Sequence, residues 1–97
     1  MKISEFQDLI RDLYLKKDKK RGILSTFVWL MEEIGEFSKV LREKEINIES
    51  ASEELSDIIA WTNSLANLLE IDLESAISKK YPGTCPKCKL KPCNCSE

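Results

Sequence analysis

The 97-residue sequence contains no histidine. That removes the one side chain whose ordinary pKa lies near neutrality. It excludes Ser-His-Asp and Cys-His nucleophiles, histidine general acids and bases, and every metal site that needs an imidazole. A carboxylate-bridged di-iron bundle is disfavoured for the same reason, because it normally takes Glu-x-x-His. Catalysis must rest on carboxylates, amines, hydroxyls, thiols or a metal. Long apolar runs are also missing. None approaches the ~18 residues of a membrane span, and the opening "MKISEFQDLI" is no signal peptide. The expectation is a cytoplasmic protein with no membrane partner. Strand alternation is absent throughout, and cysteine is absent before residue 85.

What remains is short, charged and helical. Hydrophobic residues make up 42% and charged residues 33%, the balance of a globular chain rather than a disordered one. So few residues bury only a modest core, which invites oligomerisation or a metal staple. The net charge of −2 argues against a nucleic-acid partner. Its distribution is uneven. Residues 1–78 hold ten Lys/Arg against sixteen Asp/Glu, while residues 79–97 hold five Lys against one Glu. Two parts with different roles are expected: a helical domain over 1–81 and a Cys-rich tail over 82–97.

Helical spacing of Ile3, Phe6, Ile10, Leu13 and Tyr14 predicts a first helix over 3–17, with Ser4 as its cap. The run "KKDKKRG" at 16–22 reads as a solvated polar connection or an attractor of anionic ligands. A second helix is predicted over 23–44, its main apolar stripe marked by Phe27, Leu30, Ile34, Phe37 and Leu41. A third runs from about 49 to 69, with Ala51, Leu55, Ile58, Ile59, Thr62, Ala66 and Leu69 on its stripe. "EIDLESAISKKY" reads as a short fourth helix capped by Asp72, with Lys79 and Lys80 in its last turn. Tyr81-Pro82-Gly83 ends it. The fold class is all-α: an antiparallel bundle of about four helices.

One acidic phrase occurs twice, as "EEIGEF" at 32–37 and "EELSDI" at 53–58. At about 100° per residue, Glu33, Glu36 and Trp29 fall near −100°, −160° and −140° from Ile34. Glu54, Asp57 and Trp61 fall near −100°, −160° and −120° from Leu55. Each helix thus sets two carboxylates and a tryptophan beside its apolar stripe. Val40 and Leu68 flank these faces and suggest partial burial. Carboxylates three apart repel, and burial adds a desolvation cost that a cation would offset. In an antiparallel pair, Glu33, Glu36, Glu54 and Asp57 converge. An all-oxygen set suits Mg²⁺ or Mn²⁺. Trp29 and Trp61 then lie at one end of the patch, an outline for phosphates at the metal and a base against the indoles. The ordinary reading of such acidic runs is a solvated face, and of such tryptophans, core. Gly35 in mid-helix costs about 1 kcal/mol against Ala; it either permits a close approach or is merely tolerated.

"EEIGEF…EELSDIIAW" resembles the EExxE…ExxD signature of the MazG-like, all-α nucleoside triphosphate pyrophosphohydrolases, over about residues 3–81. The resemblance implies a helical bundle that forms homodimers or homotetramers. It implies cleavage of a nucleoside triphosphate between the α and β phosphates, giving a monophosphate and pyrophosphate. Carried over by motif, Glu33, Glu36, Glu54 and Asp57 would be the Mg²⁺ ligands. Glu32 matches the first position of the motif and is the candidate catalytic residue, orienting the attacking water or holding a further metal. Basic residues that serve phosphates in longer relatives do not carry over, since the chain breaks at Pro82; Lys79 and Lys80 are the remaining candidates.

"CPKCKLKPCNC" at 85–95 sets Cys85, Cys88, Cys93 and Cys95 in C-x2-C-x4-C-x-C spacing. Four thiolates can close a structural zinc site, and Lys87, Lys89 and Lys91 would offset its charge. Disulfides, free thiols and an iron–sulfur centre are the alternatives. The leading functional reading is a Mg²⁺-dependent nucleotide pyrophosphohydrolase. The other is a non-catalytic module that binds a nucleotide or a protein partner. Ser64, Asn63 and Asn67 are candidate hydrogen-bonding groups for a substrate.

Overall fold

The computed structural model describes residues 1–96 and contains four helices in the order α1 (Ile3–Arg21), α2 (Ile23–Leu41), α3 (Ile48–Leu68) and α4 (Leu73–Lys80). No strand occurs among the described residues, so the all-α class holds. The tail expected over 82–97 is described as far as Ser96; Glu97 lies outside the described residues.

Helix α1 starts at Ile3 as expected, but its cap and its C-terminal end differ from the sequence expectation. Helix α1 begins before Ser4, and its first turn is closed by the Glu5 carboxylate, which accepts from the Lys2 backbone N–H at 2.8 Å. The basic run is not a connection. Residues 16–21 continue α1 to Arg21, and only Gly22 separates it from α2. Lysine and arginine are good helix formers, and Lys19, Lys20 and Arg21 sit at the C-terminus, where the helix dipole favours cations. Gly22 makes the sharp joint with φ 88° and ψ 168°, a region essentially closed to other residues. Its carbonyl accepts from the Thr26 hydroxyl at 2.7 Å, which helps seat the first turn of α2.

The later boundaries shift by a few residues. Helix α2 stops at Leu41 rather than 44. Asn47 caps α3 by accepting from Ser50 N–H at 3.1 Å. Asp72 caps α4 in the same way, through Ser75 N–H. Helices α2 and α3 are antiparallel neighbours, since residue 29 meets 61 and residue 33 meets 54 and 57. Helix α1 lies across both and also packs on α4.

A buried polar latch fastens α1 to the α3–α4 corner. The Gln7 amide donates to Asn67 Oδ1 at 3.0 Å and to the Ile71 carbonyl at 2.7 Å, and its own oxygen accepts from Leu73 N–H at 3.0 Å. Arg11 donates to the same Asn67 oxygen. Ile10 and Ala66 are the buried hydrophobic residues.

The apolar stripes are covered only in part: Ala66 is buried, and Leu30, Phe37, Ala51, Ile58 and Thr62 are half-buried. Phe27, Ile34 and Leu41 on α2, Leu55 and Ile59 on α3, and Leu69 just past its end are exposed in the single chain. Beside Ala66, helix α3 turns the polar Asn63, Ser64 and Asn67 inward. Each stripe lies beside the acidic face of its helix, where Glu33 and Glu54 are half-buried and Glu36 and Asp57 are exposed.

Candidate active site and metal centres

Helices α2 and α3 bring the two copies of the acidic phrase together. Glu33, Glu54 and Asp57 each offer a carboxylate oxygen, and these oxygens lie within 4.8 Å of one another. Glu33 and Glu54 are half-buried, and Asp57 is exposed. Burial raises the Glu33 pKa above the ordinary carboxylate range. A hydrogen bond with Glu54 and the negative charges of Asp57, Glu54 and Glu36 push it the same way. One Glu54 oxygen, Oε2, is buried without a hydrogen-bond partner. Three acidic groups crowded together, one with its pKa raised and one with an orphaned oxygen, form a site that a hard cation would relieve.

Glu36 stands outside this trio. It lies one turn along α2, more than half exposed, with Lys39 Nζ 3.4 Å from its Oε1. Glu32 is also exposed and is not part of the cluster. The tryptophans occupy one end of the patch as the helical wheel predicts. Trp29 and Trp61 stack at 6.0 Å between centroids with 10° between planes. Arg21 lies over Trp61, its guanidinium carbon 4.7 Å from the ring centre, within cation–π reach.

A cavity of about 360 Å³ opens beside the carboxylates. Glu33, Asp57 and Trp61 line one side, and Tyr14, Lys17, Asp18 and Arg21 of α1 line the other. Ser64 also reaches it, whereas Lys79 and Lys80 are not among its walls. Asn63 and Asn67 are absent too: Asn63 donates to the Ile59 carbonyl, and Asn67 belongs to the latch. Asp18 is 1% exposed and binds Arg21 at 2.7 Å through Oδ1, while its Oδ2 has no partner. A larger cavity of about 590 Å³ lies beside the Gln7 latch, away from the acidic cluster.

Lys17, Asp18 and Arg21 were not singled out from the sequence, because the run containing them read as a solvated connection. The signal that would have found them is the spacing of Tyr14, Lys17, Asp18 and Arg21. They share one helix face once the helix is allowed to continue.

The four cysteines converge as well. Their sulfurs all lie within 4.8 Å of one another, Cys85 to Cys95 at 3.8 Å and Cys88 to Cys93 at 3.9 Å. No disulfide joins any of the four. Backbone N–H groups of Cys88 and Lys87 lower the Cys85 pKa to about 6.

The family model for the MazG nucleotide pyrophosphohydrolase domain matches residues 21–89. The chain belongs to the MazG family. The match takes in both acidic helices, the tryptophan pair, Arg21 and the first two cysteines. No curated protein matches the chain. Most of α1, with Tyr14, Lys17 and Asp18, precedes the matched MazG region, so this wall of the cavity stands on the geometry alone.

Proposed function

We propose that this MazG-family protein is a divalent-metal-dependent pyrophosphohydrolase that cleaves a nucleoside or deoxynucleoside triphosphate between the α and β phosphates. The observation that carries the reading is the pairing of opposites across one cavity: crowded carboxylates on α2 and α3 face Lys17 and Arg21 on α1. A triphosphate with its cation needs both.

The donor set fits Mg²⁺ or Mn²⁺, since every group is an oxygen and one is orphaned. Glu33, Glu54 and Asp57 would hold the ion, joined by Glu36 once it leaves Lys39. When bound, such an ion screens charge on the phosphate oxygens and acidifies a water molecule. Lys17 and Arg21 bind phosphate oxygens from the opposite wall. Arg21 is held in place by Asp18 and by Trp61 beneath it. Trp61 takes the base edge, and Trp29 supports it from behind. The free oxygen of Asp18 accepts from a sugar hydroxyl or a base N–H. Glu32 orients the attacking water. Lys79 and Lys80, on α4, do not line this cavity.

The protein acts as a homodimer or homotetramer in this reading. The exposed stripe of Phe27, Ile34, Leu41, Leu55 and Ile59 is covered by a second copy.

The test is to incubate the purified protein with Mg²⁺ and a panel of triphosphates, resolving all phosphorus products. Monophosphate plus pyrophosphate is expected, lost on adding EDTA and in Glu54→Gln. Nucleotide binding without turnover, in Mg²⁺ and in Mn²⁺, would replace this reading with the non-catalytic module.

A further inference from the structure

Residues 82–96 pose a physical problem. None of their side chains is buried, so no apolar core holds the segment. Its hydrogen bonds stay inside it. Cys85 N–H donates to the Leu90 carbonyl at 3.0 Å, and Lys89 N–H to the Cys85 carbonyl at 2.9 Å. Lys89 also adopts φ 64°, a left-handed conformation that costs a lysine of order 1 kcal/mol unless its surroundings impose it. A segment this short, without a core, normally needs a covalent or metal staple.

The sulfurs show which staple fits. A tetrahedral ion with metal–sulfur bonds of about 2.3 Å has sulfur–sulfur edges of about 3.8 Å. The observed 3.8 and 3.9 Å are those edges. Backbone amides support the sulfurs: Asn94 N–H donates to Cys88 Sγ and Cys95 N–H to Cys93 Sγ, each at 3.3 Å. Such outer contacts fix the orientation of metal ligands. Exposed lysines 87, 89 and 91 alternate with the first ligands and offset the double negative charge of a divalent ion with four thiolates. Cys93 and Cys95 face solvent, which a redox-inert ion tolerates.

We propose that Cys85, Cys88, Cys93 and Cys95 bind one Zn²⁺, and that this ion is what folds residues 82–96. The site has four protein ligands and no open position, so it is structural and independent of the chemistry proposed on α2 and α3.

The experiment uses the full chain, purified reduced. One tightly held zinc per chain is expected after desalting. It is retained in Glu54→Gln and lost in Cys88→Ser/Cys93→Ser, with the helical circular dichroism of both variants unchanged. Cobalt substitution should give the absorption of a tetrahedral tetrathiolate ion. Trypsin should cut after Lys87 and Lys89 quickly in the double variant and slowly in the zinc-loaded parent. Four free thiols without metal, two disulfides by mass, or iron in place of zinc would each overturn the proposal. So would zinc that survives the cysteine changes and leaves with Glu54→Gln. None of these results depends on whether the protein hydrolyses nucleotides.

Discussion

Replacing Glu54 with glutamine should make the metal-free protein more stable while abolishing its turnover. Glu33, Glu54 and Asp57 bring carboxylate oxygens within 4.8 Å of one another. At that separation and an effective dielectric of about 20, each fully ionised pair repels by ~3.5 kcal/mol. The Glu33 pKa is raised by burial first and by its neighbours second, which lowers the cost of protonating it and so sheds part of this repulsion. Solvent around the exposed Asp57 screens more of it. The remaining relief on neutralising Glu54 is about 1–2 kcal/mol at neutral pH. Glutamine also places an amide where Glu54 Oε2 now has no partner. For a domain of this size, 1 kcal/mol moves Tm by roughly 4–8 °C. Thermal unfolding in EDTA, at fixed protein concentration, should therefore show Glu54→Gln melting above the parent. Adding Mg²⁺ should raise the parent's Tm and leave the variant's unchanged, because only the parent keeps the full carboxylate set. The reasoning is refuted if the variant melts lower in EDTA. That result would mean the cluster makes contacts the fold needs, as an ordinary helix surface does.

Lys17→Ala should raise KM about tenfold or more, the loss of one charged contact to phosphate, with Tm unmoved because Lys17 is exposed; an unchanged KM removes α1 from the site. Gln7→Ala should cost about 2–4 kcal/mol in urea unfolding, since it orphans the Leu73 N–H and the Ile71 carbonyl and removes one of the two donors to Asn67 Oδ1. Because the latch is remote from the carboxylates, kcat should persist, and a collapse of kcat at full folding contradicts that separation. Glu33, facing Glu36, Glu54 and Asp57 with Lys17 and Arg21 across the cavity, has a raised folded pKa. Its contribution to stability is complete below the ordinary glutamate pKa of about 4.3 and is lost as pH rises through the raised value. Stability measured in EDTA should therefore fall with pH in that window, and Glu33→Gln should flatten the decline; parallel curves for parent and variant would show that the titration lies elsewhere.

The two acidic phrases were legible because helical periodicity converts spacing into angle without knowledge of the rest of the chain. Glu33, Glu54, Asp57, Trp29 and Trp61 all meet where the wheel places them. Glu36 shares that face but lies one turn along α2, near Lys39 rather than in the trio. A wheel fixes direction and leaves position along the helix axis open. The caps at Asp72 and the end at Tyr81 were equally local, and so equally readable.

Burial was not local, and there the sequence reading was only partly met. Ile34 and Leu55 carry the strongest apolar stripe of their helices, yet each is more than two-fifths exposed. Hydrophobic periodicity says that a face will be covered, but it does not say whether the same chain or another copy covers it. The same gap hid the basic wall of the cavity. "KKDKKR" is indistinguishable from a solvated loop until something fixes the axis of α1 against α3, and what fixes it is the Gln7 latch to Asn67, Ile71 and Leu73. That latch joins residues sixty or more positions apart through one uncharged side chain. Once it sets the crossing, continuing the helix four residues past 17 carries Arg21 to Trp61, and the buried Asp18 holds it there. An ion pair half inside the protein is a poor source of stability by itself. Its presence beside crowded carboxylates is better explained by the anionic ligand that needs both a cation and an arginine.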